Sequence, residues 1–139
     1  MNDTPSVARI AHVNMRGSES LVERLRTFYV DVIGLRDGPR PRFRSGSSGY
    51  WLYAGDLDVM HLSIDPTAVA DPPATAGTTA FNHVAFACRG LADTMHRLRV
   101  AGIDFRIDQV DDMDQVQLFL FDPAGTRIEL NFTGEPLPA

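Results

Sequence analysis

The sequence predicts an α+β fold made from two copies of one module, each a strand, a helix and three further strands. Three observations predict it. Apolar periodicity runs strand, helix, three strands, and then repeats in the same order after a proline-containing linker. Helical positions Leu21, Leu25 and Phe28 recur 70 residues later as Leu91, Met95 and Leu98. At 139 residues the chain has the length of one ordinary domain, so halves of this size must share a core or a sheet.

The first module covers about 8–64, with strands expected near 8–15, 40–45, 49–54 and 57–64 and a helix near 20–33. Ser20-Leu-Val-Glu23 has the form of a capping box, in which the serine oxygen and the glutamate carboxylate satisfy free backbone donors. Leu21, Leu25, Phe28 and Val32 give the helix an apolar stripe, and Gly34 suits its stop. Residues 65–80 read as a linker, because Pro66, Pro72 and Pro73 block regular structure. The second module, about 81–133, predicts strands near 81–88, 104–109, 115–121 and 126–132 and a helix near 91–101 ending at Gly102. Asp122-Pro-Ala-Gly125 fits a type I turn joining the last two strands.

Composition narrows the function. Hydrophobic residues at 44% and charged residues at 22% are ordinary globular usage. The longest apolar runs, such as Leu118 to Phe121, are far short of the roughly 20 residues that span a bilayer. Met1 to Val7 is polar and lacks the apolar stretch of a secretory signal, so a cytoplasmic location is expected. A single cysteine, Cys88, excludes an intrachain disulfide and any multi-cysteine metal cluster. The net charge of -5 argues against general nucleic-acid binding. All 13 cationic residues are arginine, which removes Schiff-base chemistry and lysine-dependent phosphate loops.

The four histidines carry the functional signal. Side chains alternate across a strand, so His12, His61 and His83 each lie opposite an apolar face suited to pack on a helix. Glu129 does the same in the last strand, opposite Ile128 and Leu130. The repeat pairs them: His12 with His83, 71 residues on, and His61 with Glu129, 68 residues on. If a pseudo-twofold axis relates the halves, the four positions converge on one cavity. Three imidazoles and a carboxylate suit Fe, Mn, Ni, Co or Zn. His96, on the second helix, reads as a solvated bystander.

With these residues in place, the chain resembles the vicinal oxygen chelate superfamily. The likeness rests on the paired βαβββ order, His12-Val-Asn-Met15, Phe28-Tyr29 with Ile33-Gly34-Leu35, Asn82-His83-Val84-Ala85-Phe86, and Phe121-Asp-Pro-Ala-Gly-Thr-Arg-Ile-Glu129, and spans about residues 8–133. It implies a cupped, mostly antiparallel eight-stranded sheet of the glyoxalase/dihydroxybiphenyl dioxygenase type. It also implies one divalent metal on His12, His83 and Glu129, with His61 at the fourth position, where members vary. Members bind two adjacent oxygens of a substrate at the metal, and the ion stabilises the charge that develops there.

Several functions fit this pattern. The leading one is a glyoxalase-like lyase or isomerase in which Glu129 or His61 moves a proton beside a carbonyl. The second is an Fe(II) extradiol-type dioxygenase with His61 as acid or base, although Phe119 stands where its members carry tyrosine. The third is a small-molecule binding or resistance protein using the same cavity. Fosfomycin thiol transferases use lysine and that tyrosine, and this chain has neither. Arg16, four residues after His12, matches a glyoxalase arginine that binds a glutathione carboxylate. Asn14, Ser63, Arg127 and Asn131 share the ligand face and could contact substrate; Trp51, Tyr53, Phe119 and Phe121 could form an apolar wall. Arg36, Arg40, Arg42 and Arg44 read as a solvated strand edge, and Asp111, Asp112 and Asp114 as a turn. A homodimer acting on a small molecule is expected.

Overall fold

The structure, a computed structural model, describes residues 8–68, 71 and 83–139. Most of the predicted linker, with Phe81 and Asn82 at the head of the fifth predicted strand, lies outside the described residues. The first module comprises β1 (Val13–Gly17), α1 (Glu19–Thr27), β2 (Arg36–Gly38), β3 (Gly49–Ala54) and β4 (Leu57–Ile64). The second comprises β5 (His83–Cys88), α2 (Leu91–Val100), β6 (Arg106–Val110), β7 (Gln115–Phe121) and β8 (Arg127–Thr133).

The eight strands form two four-stranded sheets of identical topology, β1-β4-β3-β2 and β5-β8-β7-β6. In each, one parallel pair (β1 with β4, β5 with β8) joins two antiparallel pairs. The duplication read from the helix spacing is therefore real, and it extends to strand order. No ladder joins the sheets among the described residues, so what unites the modules is their packing.

That packing is one apolar core. Leu21, Val22 and Leu25 of α1 and Leu91, Met95 and Leu98 of α2 pack with Leu52, Met60 and Leu62 of the first sheet and with Leu118, Leu120, Ile128, Leu130 and Phe132 of the second. Tyr29 is fully buried where the modules meet. Its hydroxyl donates to Asp122 Oδ2 at 2.6 Å, and its ring lies 6.5 Å from that of Phe86. Asp122 sits in the predicted turn: Gly125 N bonds its carbonyl at 2.9 Å, while its Oδ1 accepts from Ala124 N and Thr126 N at 2.8 Å each.

Three local expectations are corrected. The second strand is Arg36–Gly38, not 40–45, because Pro39 and Pro41 supply no N–H and end the ladder with β3 at Gly38. The first helix is capped by Ser18, whose Oγ accepts from Leu21 N at 3.1 Å, whereas Glu23, the expected partner of Ser20, accepts from the Tyr50 hydroxyl. The helix also does not stay α-helical. It passes into a π-helical turn over Phe28–Ile33 before Gly34, at φ 100°, where Gly34 N and Leu35 N both bond to Tyr29 O at 3.0 and 2.8 Å. A second glycine is required at Gly49, where a Cβ would come within 1.9 Å of the Leu62 carbonyl oxygen. Among the described residues no helix is long and apolar enough to cross a membrane.

Tyr29→Phe should lower the unfolding free energy by about 1–3 kcal/mol, because it strips a buried carboxylate of one donor; the urea midpoint reads this directly. Burial, then the neighbouring Asp122 carboxylate, push the Tyr29 phenol well above the usual tyrosine value. A pKa raised in the folded state stabilises the protein fully below the unfolded value of about 10, and this contribution is lost as pH rises beyond it. Wild-type stability should thus fall above pH about 10, and Tyr29→Phe should flatten that fall. Equal slopes in the two proteins would refute the assignment.

Candidate metal centre

In each sheet the face away from the helices carries the candidate ligands. Four residues that the sequence pairs by repeat appear as two separate couples. His12 lies just before β1 and is exposed, and its ring stacks on that of His61 with centroids 3.8 Å apart and planes 17° apart. Trp51, opposite His61 in the β3–β4 register, stacks on it at 4.1 Å and 3°. With β4 central between β1 and β3, His61 is sandwiched between indole and imidazole, and its side chain is only 12% exposed.

On the second sheet, His83 opens β5 and its Nε2 lies 2.7 Å from Glu129 Oε2. Gln117 of β7 donates to Glu129 Oε1 at 2.7 Å and to Gln115 Oε1 at 3.0 Å. Glu129 is 7% exposed, so this carboxylate is buried with both oxygens engaged. Two residues further along the same face, Asn131 Oδ1 is buried with no hydrogen-bond partner. Such an orphaned acceptor is uncommon in a finished core and marks a place where a donor is missing. Phe119 sets its ring edge-on to His83 at 6.4 Å, with the guanidinium of Arg106 at 4.9 Å and that of Arg127 at 4.7 Å.

Two residues of the site escaped the sequence reading. Gln117 shares the ligand face by plain alternation and could have been found that way. Asp58 could not, because it sits three residues before His61 and strict alternation sends it to the opposite face. A β-bulge reverses that. Leu52 pairs with Met60 but Tyr53 pairs with Asp58, so Val59 is left over and Asp58 turns to the side of His61. His61 Nε2 and Asp58 Oδ2 are 2.7 Å apart, and this hydrogen bond holds the Asp58 carboxyl below its usual value.

The remaining candidates fall around this frame. Asn14 donates to Ser63 Oγ at 2.9 Å, beside the histidine couple. Arg16 is four residues past His12, about 13 Å along a strand, and pairs with Asp65 at 3.5 Å. Tyr53 donates to the Pro39 carbonyl at 2.6 Å, and Phe121 is 61% exposed at the sheet's end. His96 is exposed on α2.

Among the described residues, one group of three or more side chains could share an ion through donor atoms within 4.8 Å of one another: His12, Asp58 and His61. His83 and Glu129 are not part of it. The donor chemistry of both couples suits a borderline divalent ion. With metal–donor bonds of about 2.1 Å, neighbouring ligand atoms stand about 3–3.4 Å apart, so the His83–Glu129 spacing needs only a small opening. The His12–His61 stack needs more, since parallel rings aim their lone pairs in parallel, and one ring must turn for both to reach one ion.

No protein-family model matches the chain, and no curated protein matches it in sequence. Solved structures do. A Bacillus anthracis protein assigned to the glyoxalase family superposes with a TM-score of 0.68 at 23% identity, over 92% of this chain and 97% of that one. The trypanothione-dependent glyoxalase I of Leishmania major gives 0.66 at 16% identity, over 89% and 86%. The fosfomycin resistance protein FosX of Listeria monocytogenes, solved with Mn(II) and a dihydroxypropylphosphonic acid, gives 0.62 at 10%, over 95% and 96%. The chain thus shares the paired-module α+β fold of these structures.

Replacing Gln117 by leucine should cost about 1–3 kcal/mol of stability in the metal-free protein, because Glu129 Oε1 loses its donor while still buried. A urea titration that leaves the midpoint unchanged would show that Glu129 does not depend on this bond.

Proposed function

We propose that the protein is a metal-dependent enzyme of vicinal oxygen chelate type that works as a homodimer on a small substrate with two adjacent oxygens. The observation that carries this reading is the placement of the couples His12–His61 and His83–Glu129 on the outward faces of two sheets whose inner faces are consumed by one shared core. β1, which follows His12, and β5, which begins with His83, are edge strands. A second copy can set the first-module face of one chain against the second-module face of the other, and twofold symmetry then makes two equal sites.

His12, His61, His83 and Glu129 would hold a divalent ion, which would supply Lewis acidity for the charge that develops on a substrate oxygen. The chain does the rest. Gln117 fixes Glu129 through Oε1, so Oε2, once its contact with His83 opens, is the oxygen that can take a proton from the carbon beside a carbonyl and return it to the neighbouring position. Asn131 Oδ1, now without a donor, can accept from a substrate hydroxyl. Trp51 and Phe119 offer flat apolar surface beside the two couples, and Arg127 lies over Phe119 to meet a negative group.

A second reading, Fe(II)-dependent ring cleavage, is favoured by one feature: His61 Nε2 is already engaged by Asp58, as suits a histidine that carries a proton and does not bind metal. Metal analysis after anaerobic purification separates the two. Nickel, zinc or manganese with turnover of a hemithioacetal supports the first; iron with catechol-dependent oxygen uptake supports the second. Binding of small molecules without turnover would leave a sequestration protein.

Mixing variants tests the shared site. His61→Ala and His83→Ala homodimers should each lack metal and activity. Co-refolded together they should regain about one intact site per mixed dimer, because one chain then supplies a whole first module and its partner a whole second. No recovery would place each site within a single chain and overturn the dimeric arrangement.

A further inference from the structure

The bulge at Val59 spends one residue of β4 to bring a carboxylate onto His61, and neither the repeat nor the second module has a counterpart to it. β8 pairs with β7 without a break from Thr133 to Arg127, so Glu129 gains no equivalent partner from its own strand. The two halves thus differ at one point of chemistry: Glu129 brings its own charge, while His61, its repeat equivalent, borrows one from Asp58.

We infer that Asp58 is a positioning residue that fixes the tautomer and ring orientation of His61. An ionised carboxylate only accepts hydrogen bonds, so at 2.7 Å the proton between them belongs to His61 Nε2. In the neutral ring the lone pair is then on Nδ1, and that is the nitrogen His61 offers to a cation. Trp51 stacks on the same ring within 3° of parallel. In-plane contact from Asp58 and face contact from Trp51 together hold the ring in one orientation. A carboxylate behind a ligating histidine raises its basicity and pre-sets its direction, and loss of such a partner weakens metal binding about 10–100-fold. This inference rests on the first reading above, in which His61 is a ligand.

The test uses the full-length protein, uniformly labelled with nitrogen-15. At pH about 8.5, where an ordinary imidazole is neutral, long-range nitrogen–proton correlations of the metal-free wild type should show His61 as the Nε2–H form. Asp58→Ala should shift it toward the Nδ1–H form, and Asp58→Asn, which keeps an acceptor oxygen, should retain much of the wild-type pattern. Co(II) titration should give a dissociation constant about 10–100-fold weaker for Asp58→Ala, with the metal-free melting temperature unchanged. An unchanged tautomer, or unchanged Co(II) affinity beside a wild type that binds the ion, overturns the inference alone. A wild type that takes up no Co(II) overturns the metal reading and the inference with it.

Discussion

The hydroxyl of Tyr29 crosses from the first module to the Asp122 carboxylate in the second, and the whole arrangement depends on what this contact holds shut. A carboxylate that is 5% exposed is costly to bury. Asp122 is tolerated because three donors converge on it: the Tyr29 hydroxyl and the amides of Ala124 and Thr126. The same residue therefore closes the β7–β8 turn and ties the modules. Once they are tied, the helix-covered faces of both sheets are spent on one core, and every group with chemistry to offer faces outward.

The duplication reaches into the helix caps. Ser18 N donates to Asp71 Oδ1 at 3.0 Å and its hydroxyl to Asp71 Oδ2 at 2.6 Å. In the second module Gly90 N and Leu91 N donate to Glu135, at 3.0 and 2.7 Å for the shorter contacts. In both modules an acid from beyond the last strand returns to the start of the helix, where free amides and the helix dipole favour negative charge. Each acid thereby ties the start of its helix to the chain that follows the last strand of its own sheet.

Much of this was legible in the residues. Repeated helical positions and alternating strands gave the module order, and β3, β4 and β7 fall where alternation puts them. Alternation also gave the outward side chains His61, Glu129 and Asn131, since a single sheet face buried against a helix forces every second residue to the other side. What it could not give was decided by contacts distant in sequence. Ser18 was preferred over Ser20 as a cap because Asp71 comes back to meet it. Arg36–Gly38 became the edge strand because Pro39 ends the ladder, although the more strand-like residues follow. The π-helical turn at Phe28–Ile33 brings Tyr29 into the inter-module seam, and nothing local in that stretch requires it.

The same limit explains the site. Period two is a rule about an unbroken strand, and it fails wherever one residue is inserted into one side of a ladder. At Val59 that failure moves Asp58 from the core side, where an unpaired carboxylate could not be accommodated, to the face where an imidazole can use it. The exposed small residues Ala85 and Ala87, alternating with His83 along β5, leave that edge open to close approach. With only methyl groups beside them, Glu129, held by Gln117 and His83, and the unpaired Asn131 Oδ1 lie along an open edge, where the sheet can be approached from outside.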